Sequence, residues 1–171
     1  MRVVAEERIA PGRVIDLGCG TGANAIWLVQ QGFETTGMDI SPLAIERARK
    51  RAAEAGTQVR LVAGDVLEPP AEIGGPYDFV FDRGCYHIVR RISAERYLAT
   101  LLQITRPGSL CLVLTGNARE PLDPGPPVVS EDEIRAELGQ KLTVVRLREF
   151  RFDQVKGFEV LPLAWSCLLK R

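Results

Sequence analysis

At 171 residues, 46% apolar and 26% charged, the chain has the make-up of one ordinary globular domain that can bury its own core. Its 22 basic and 22 acidic residues cancel, which removes any general attraction to nucleic acid or to an anionic membrane surface. The four cysteines, at 19, 85, 111 and 167, are too far apart for a C-x-x-C metal or redox site, and no apolar run is long enough to span a bilayer.

Residues 3–10 read as the end of a helix broken by Pro11-Gly12, and the short segment 1–12 as the remnant of a lid on a single domain covering 1–171. Val14, Ile15 and Leu17 then form a short buried strand. Glycine follows at alternate positions, Gly18, Gly20 and Gly22, before the pattern turns helical. Such glycines let the backbone turn sharply and approach a ligand without a Cβ in the way, while the new helix aims its free N–H groups at the same place. Asp16 sits at the carboxyl end of the strand, where its carboxylate can face a cationic group such as the ammonium of an amino acid.

The first helix runs from about Gly22 to Gln31, and Phe33–Ile40 reads as the second strand, ending in Asp39, 23 residues after Asp16. An acid about 20 residues beyond a glycine turn is where a ribose diol finds its acceptor. The competing reading is that Asp39 helps start the next helix at Ser41-Pro42. That helix, 42–55, carries a basic cluster, Arg47, Arg49, Lys50 and Arg51, read as a solvated face. Gln58–Val66 is the third strand and its exit, with Gly64-Asp65 as a turn.

A Pro/Gly loop precedes the fourth strand, Tyr77–Asp82, which adjoins the first across the switch point of the sheet, so its end opens into the crevice where such sheets bind ligands. The segment there is Asp82-Arg83-Gly84-Cys85-Tyr86-His87. Arg83 reads either as a substrate-side cation or as a structural ion-pair partner. His87, the only histidine, reads as a base titrating near neutrality or as a packing residue, and Cys85 as a reactive thiol or a small buried one.

Ser93 caps a helix that ends at Arg106-Pro107-Gly108, and Ser109–Thr115 is the fifth strand. Residues 116–129 hold four prolines and two glycines, a stiff loop over the carboxyl edge of the sheet. Ser130-Glu131-Asp132-Glu133 is a capping box opening a short helix that stops at Gly139. Segments 141–150 and 158–169, joined by Asp153–Gly157, read as a closing antiparallel hairpin. The order gives an α/β, Rossmann-like, seven-stranded, mostly parallel sheet with a reversed last strand.

The motif Asp16-Leu17-Gly18-Cys19-Gly20-Thr21-Gly22, with these later landmarks, resembles class I S-adenosylmethionine-dependent methyltransferases. Asp82-Arg83-Gly84, the Gly125-Pro126-Pro127 loop and the Ser130–Gly139 helix resemble, more narrowly, the thiopurine S-methyltransferase group, which acts on small thiols and related chalcogen compounds. The resemblance implies S-adenosylmethionine as cofactor, a small-molecule acceptor, no metal and no nucleic-acid or membrane partner. Its cofactor contacts fall on Asp16, Gly18, Cys19, Gly20, Gly22 and Asn24, then on Asp39, Ile40, Asp65, Val66 and Asp82. Asp65 would accept from the adenine amine and the Val66 N–H donate to a ring nitrogen, while Arg83 and His87 would be catalytic. With cysteine usage that fits reduced thiols, the expected location is cytoplasmic. Other readings kept open are transfer to oxygen or nitrogen, a non-catalytic scaffold of the same fold, and a dinucleotide oxidoreductase, which the glycine spacing disfavours.

Overall fold

The computed structural model describes residues 2–7, 9–121, 125, 127–152 and 161–171. Its centre is one sheet in the order β3-β2-β1-β4-β5-β8-β7, with a short β6 paired to β5. The strands are β1 (Arg13–Leu17), β2 (Glu34–Asp39), β3 (Arg60–Ala63), β4 (Tyr77–Arg83), β5 (Thr105–Asn117), β6 (Val128–Val129), β7 (Thr143–Arg151) and β8 (Leu163–Lys170). The first five run parallel and β8 lies antiparallel between β5 and β7, as expected of the class I methyltransferase fold.

Side-chain alternation along the strands sorts residues between two faces. Ile15, Leu17, Val80, Cys111 and Val113 meet Tyr86, Tyr97, Leu101, Ile134 and Leu138 from α4 (Tyr86–Ile104) and α5 (Glu131–Glu137). Val14, Phe79, Phe81, Leu112 and Leu114 meet Val4 of α1 (Arg2–Glu6) and Leu28 of α2 (Ala23–Gln30). On the second face, Ile45 and Ala48 of α3 (Pro42–Glu54) pack on Leu61 and Cys19. Hence Asp16 and Arg83 fall on the α1–α2 face, whereas Asp82 falls beneath α4.

The helix expected from Ser93 starts at Tyr86. It breaks at Ser93 (φ −161°, ψ 103°), whose Oγ accepts from the Arg96 N–H at 3.1 Å and caps the second half as expected. The expected stop at Arg106-Pro107-Gly108 ends the helix but does not separate it from the strand. β5 begins at Thr105, paired with Tyr77, and absorbs the proline in a register shift at Gly108, φ +92°. Part of the expected stiff loop is strand: Val128–Val129 pairs in parallel with Gly116–Asn117. Because β8 occupies the other edge of β5, β6 extends the line of β4 beyond Arg83. Residues 122–124 and 126 of that loop, and the Asp153–Gly157 connection with the start of the last strand at 158, lie outside the described residues. The basic cluster of α3 is exposed, as a solvated face should be. No described helix is long and apolar enough to cross a membrane.

Candidate functional site

The three glycines of the turn all have positive φ (66°, 54° and 78°), and their surroundings differ. A Cβ at Gly18 would stand 2.7 Å from that of Cys85, and one at Gly22 2.9 Å from that of Ala48. Those two glycines therefore let α4 and α3 close on the turn. A Cβ at Gly20 would meet nothing within 4 Å. It would project into open space, the place a ligand needs.

Asp16 is 1% exposed, and among the described residues no group makes a close hydrogen bond to its carboxylate oxygens, the Ala25 amide being the backbone donor that faces it. Burial, reinforced by the Asp82 carboxylate, holds its pKa well above the usual carboxylate range. A buried carboxylate without a partner is costly, so the site is built for a cation that arrives with a ligand. Cys19 is buried and anchors the turn through its amide, which donates to the Met38 carbonyl at 2.9 Å. Asn24 stands half-buried in the first turn of α2.

A cavity of about 230 Å³ opens beside the turn, lined on one side by Gly18, Met38, Asp39, Ile40, Gly64, Asp65 and Val66. Asp39 makes the contacts of the competing structural reading: its Oδ1 accepts from the Ser41 N–H at 2.9 Å and its Oδ2 from the Gly20 N–H at 2.8 Å. A carboxylate has about four acceptor positions, so two remain for a ligand's hydroxyls. Asp65 forms a turn by accepting from the Leu67 N–H at 2.8 Å. Ile40 is 70% exposed at the cavity mouth, an apolar surface with no protein cover.

The opposite wall is Arg83, Gly84, Cys85, Ile88 and Val89, where β4 passes into α4. Arg83 is exposed, with its guanidinium carbon 5.1 Å from the centre of the Phe152 ring. Among the described residues it makes no ion pair within 4 Å, and its charge acts on the Asp16 carboxylate from beyond that distance. The Cys85 thiol is pushed up by burial and by Asp82, which keeps it protonated and unreactive.

Two of the expected site residues are engaged inside the fold. Asp82, read as a cofactor contact, is fully buried on the α4 face and does not line the cavity. Its carboxylate accepts from the Cys85 N–H at 2.9 Å, the Tyr86 N–H at 3.0 Å and the Tyr97 hydroxyl at 2.7 Å. It is the anchor of the α4 N-terminus, and burial raises its pKa to about 6. His87, read as a base, is 7% exposed, and its Nδ1 accepts from the Gly116 N–H at 3.3 Å. Burial lowers its pKa to about 4, so at neutral pH the neutral ring carries its proton on Nε2. With one nitrogen occupied and the other protonated, it has no lone pair free to act as a base. It ties the β4–α4 turn to the end of β5.

Sequence reasoning missed Phe152, Met38, Ile88 and Val89. Only the alternation along β2 and the Asp82 anchor ahead of Tyr86 could have signalled the last three, and nothing local signals Phe152. Among the described residues no cluster could hold a metal ion.

Comparison with known proteins adds an independent line. A family described as a methyltransferase domain matches residues 14–108. The chain is 32% identical over 136 residues to a 2-heptyl-1-hydroxyquinolin-4(1H)-one methyltransferase of Mycobacteroides abscessus, covering 78% of this chain and 60% of that one. It is 29% identical over 144 residues to a thiopurine S-methyltransferase of Pseudomonas fluorescens, covering 76% and 65% respectively. Among solved structures, it superposes with a TM-score of 0.85 on a protein studied for conversion of a disulfide bond into a thioacetal group during echinomycin biosynthesis. That protein is 27% identical, with 99% of this chain and 80% of that chain covered. The chain spans between 28% and 60% of the length of the first curated relatives it matches.

Proposed function

The chain belongs to the class I S-adenosylmethionine-dependent methyltransferases, and on that premise we propose that it moves the cofactor's methyl group to a small-molecule thiol or related chalcogen compound by in-line displacement. Residues 1–171 act as one methyltransferase domain in this reading.

The observation that carries the cofactor assignment is Asp16, a buried carboxylate with no cation at ion-pair distance among the described residues, beside an open glycine turn. The ammonium of the methionine end supplies the missing cation. The backbone from Gly18 through Gly22, with Cys19 inside it and Asn24 beyond, would hold that end; Asp39 would accept from the ribose hydroxyls; and Ile40, Asp65 and Val66 would hold the adenine.

Bound S-adenosylmethionine supplies a methyl carbon already activated by its sulfonium. The protein's task is then to hold a desolvated nucleophile in line with that carbon, an effect that can reach several kcal/mol. Arg83, at the cavity wall and in no ion pair among the described residues, stabilises the acceptor as an anion. A thiol, with an ordinary pKa of about 8.5, needs only modest help to become one. Its proton passes to solvent, and the new sulfur–carbon bond replaces the one broken at the sulfonium.

A second reading, transfer to the oxygen of a small metabolite, is supported by the Mycobacteroides relative, whose name gives a hydroxyquinolinone as acceptor. A panel of thiols, phenols, N-hydroxy heterocycles and amines, offered with methyl-labelled cofactor and read by product mass, separates the two. Labelled thioether is the expected product, and label only on oxygen would overturn the thiol reading. Arg83→Ala should reduce acceptor turnover far more than cofactor affinity; equal losses would move Arg83 into the cofactor pocket.

A further inference from the structure

Among the described residues Arg83 is the one cationic side chain lining the cavity, and no acidic side chain lies at ion-pair distance from it, Asp16 acting on it only from further off. Arginine carries about 2 kcal/mol of side-chain rotamer entropy, so an exposed guanidinium with no partner is poorly placed unless something else restricts it. The group in contact with it is the ring of Phe152, 69 positions away in sequence and on the same face of the sheet.

That ring is itself fixed. Phe152 is 8% exposed in the core, and its ring stands edge-on to Phe150 with centroids 4.9 Å apart. Its amide donates to the Pro162 carbonyl at 3.1 Å. The neighbouring part of β7 is fastened to the exit of β5. Arg151 holds both Glu120 oxygens at 2.8 and 2.9 Å, while Glu149 accepts from Asn117 Nδ2 at 2.9 Å and Arg119 at 3.2 Å. A guanidinium over an aromatic face is attracted by the electron-rich ring centre, and a fixed ring fixes the cation.

We infer that Phe152 is a positioning residue: its ring face holds the Arg83 guanidinium at the acceptor wall of the cavity. This rests on the acceptor-side role proposed for Arg83. Leucine at 152 would keep apolar bulk and remove the ring; tyrosine would keep the ring.

The full chain tests this in two ways. In the free protein, the Arg83 side-chain proton resonances should be displaced upfield by the Phe152 ring current, retained in Phe152→Tyr and lost in Phe152→Leu. In turnover, with an acceptor from the panel, Phe152→Leu should lower kcat/KM by about two- to fivefold, the size of an exposed cation–π contact. Phe152→Tyr should restore it, S-adenosylhomocysteine affinity should be unchanged, and Phe152→Leu should add nothing in an Arg83→Ala background. Unmoved Arg83 resonances, a loss of equal size without Arg83, or a parallel loss of cofactor affinity would overturn the assignment. A wild-type protein that binds no S-adenosylhomocysteine would instead refute the functional reading, and the resonances alone would then decide whether Phe152 holds Arg83.

Discussion

Asp16 shows how one side chain can be unfavourable for the fold and necessary for the ligand. Its buried oxygens have no close hydrogen-bond partner among the described residues, and its raised pKa records the cost of ionising there. Replacing it by an amide of the same shape should leave the ligand-free protein at least as stable, because an unpaired buried charge is removed. Asp16→Asn should also weaken S-adenosylhomocysteine binding by about tenfold or more, as a charge-assisted hydrogen bond is worth about 1.5–3 kcal/mol. Calorimetric titration and chemical denaturation measure the two effects separately. Only the ionised carboxylate pairs with an ammonium, so wild-type affinity should rise as pH rises through the raised Asp16 pKa. The variant should not show that rise.

At the scale of the element, α4 matters most, since its first turns form the acceptor wall. Its start is fixed by Asp82 accepting from two backbone amides and the Tyr97 hydroxyl. A second hold comes from Arg90, whose guanidinium binds Glu133 at 2.7 Å and also Glu137, joining α4 to α5 through the carboxylate that closes the α5 capping box. Asp82→Ala leaves three buried donors unsatisfied and should cost about 2–4 kcal/mol. The pH dependence has a definite sign. Asp82 titrates at about 6 in the folded chain against 3.8 unfolded, so the unfolded state loses its proton first as pH rises. Wild-type stability from this group is therefore fully present below about 4 and falls as pH approaches 6. The penalty of Asp82→Ala should shrink across that window, as denaturant midpoints at several pH values would show; a growing penalty would contradict the anchor.

For the whole molecule, a ligand that binds only the folded chain raises its stability by mass action. S-adenosylhomocysteine at a hundred times its Kd should add about 2.7 kcal/mol. For a chain of this size that moves Tm upward by roughly 5–10 °C. NAD should leave Tm unchanged, and a shift with NAD alone would restore the oxidoreductase reading.

Much of this protein was legible along the chain, because periodicity and turn chemistry are local. The glycine turn, the acids ending β1 and β2, the capping box at Ser130 and the buried run of β5 each announce themselves within a few residues. The partners of Asp82 and His87, and the choice between the two readings of Arg83, were not legible, because three residue types with ligand-binding chemistry stood together with no local sign of direction. Strand alternation put Asp82 beneath α4 and Arg83 on the opposite face, the amide of Gly116 took up the His87 nitrogen, and β7 brought Phe152 to Arg83. Sequence by itself determined most of the elements, β6 and the first turns of α4 apart, and what class of ligand the glycine turn admits, since both depend on neighbours in the chain. Only the tertiary structure decided which charged groups are used up inside the fold and which remain for a substrate, since that depends on burial and on partners distant in sequence.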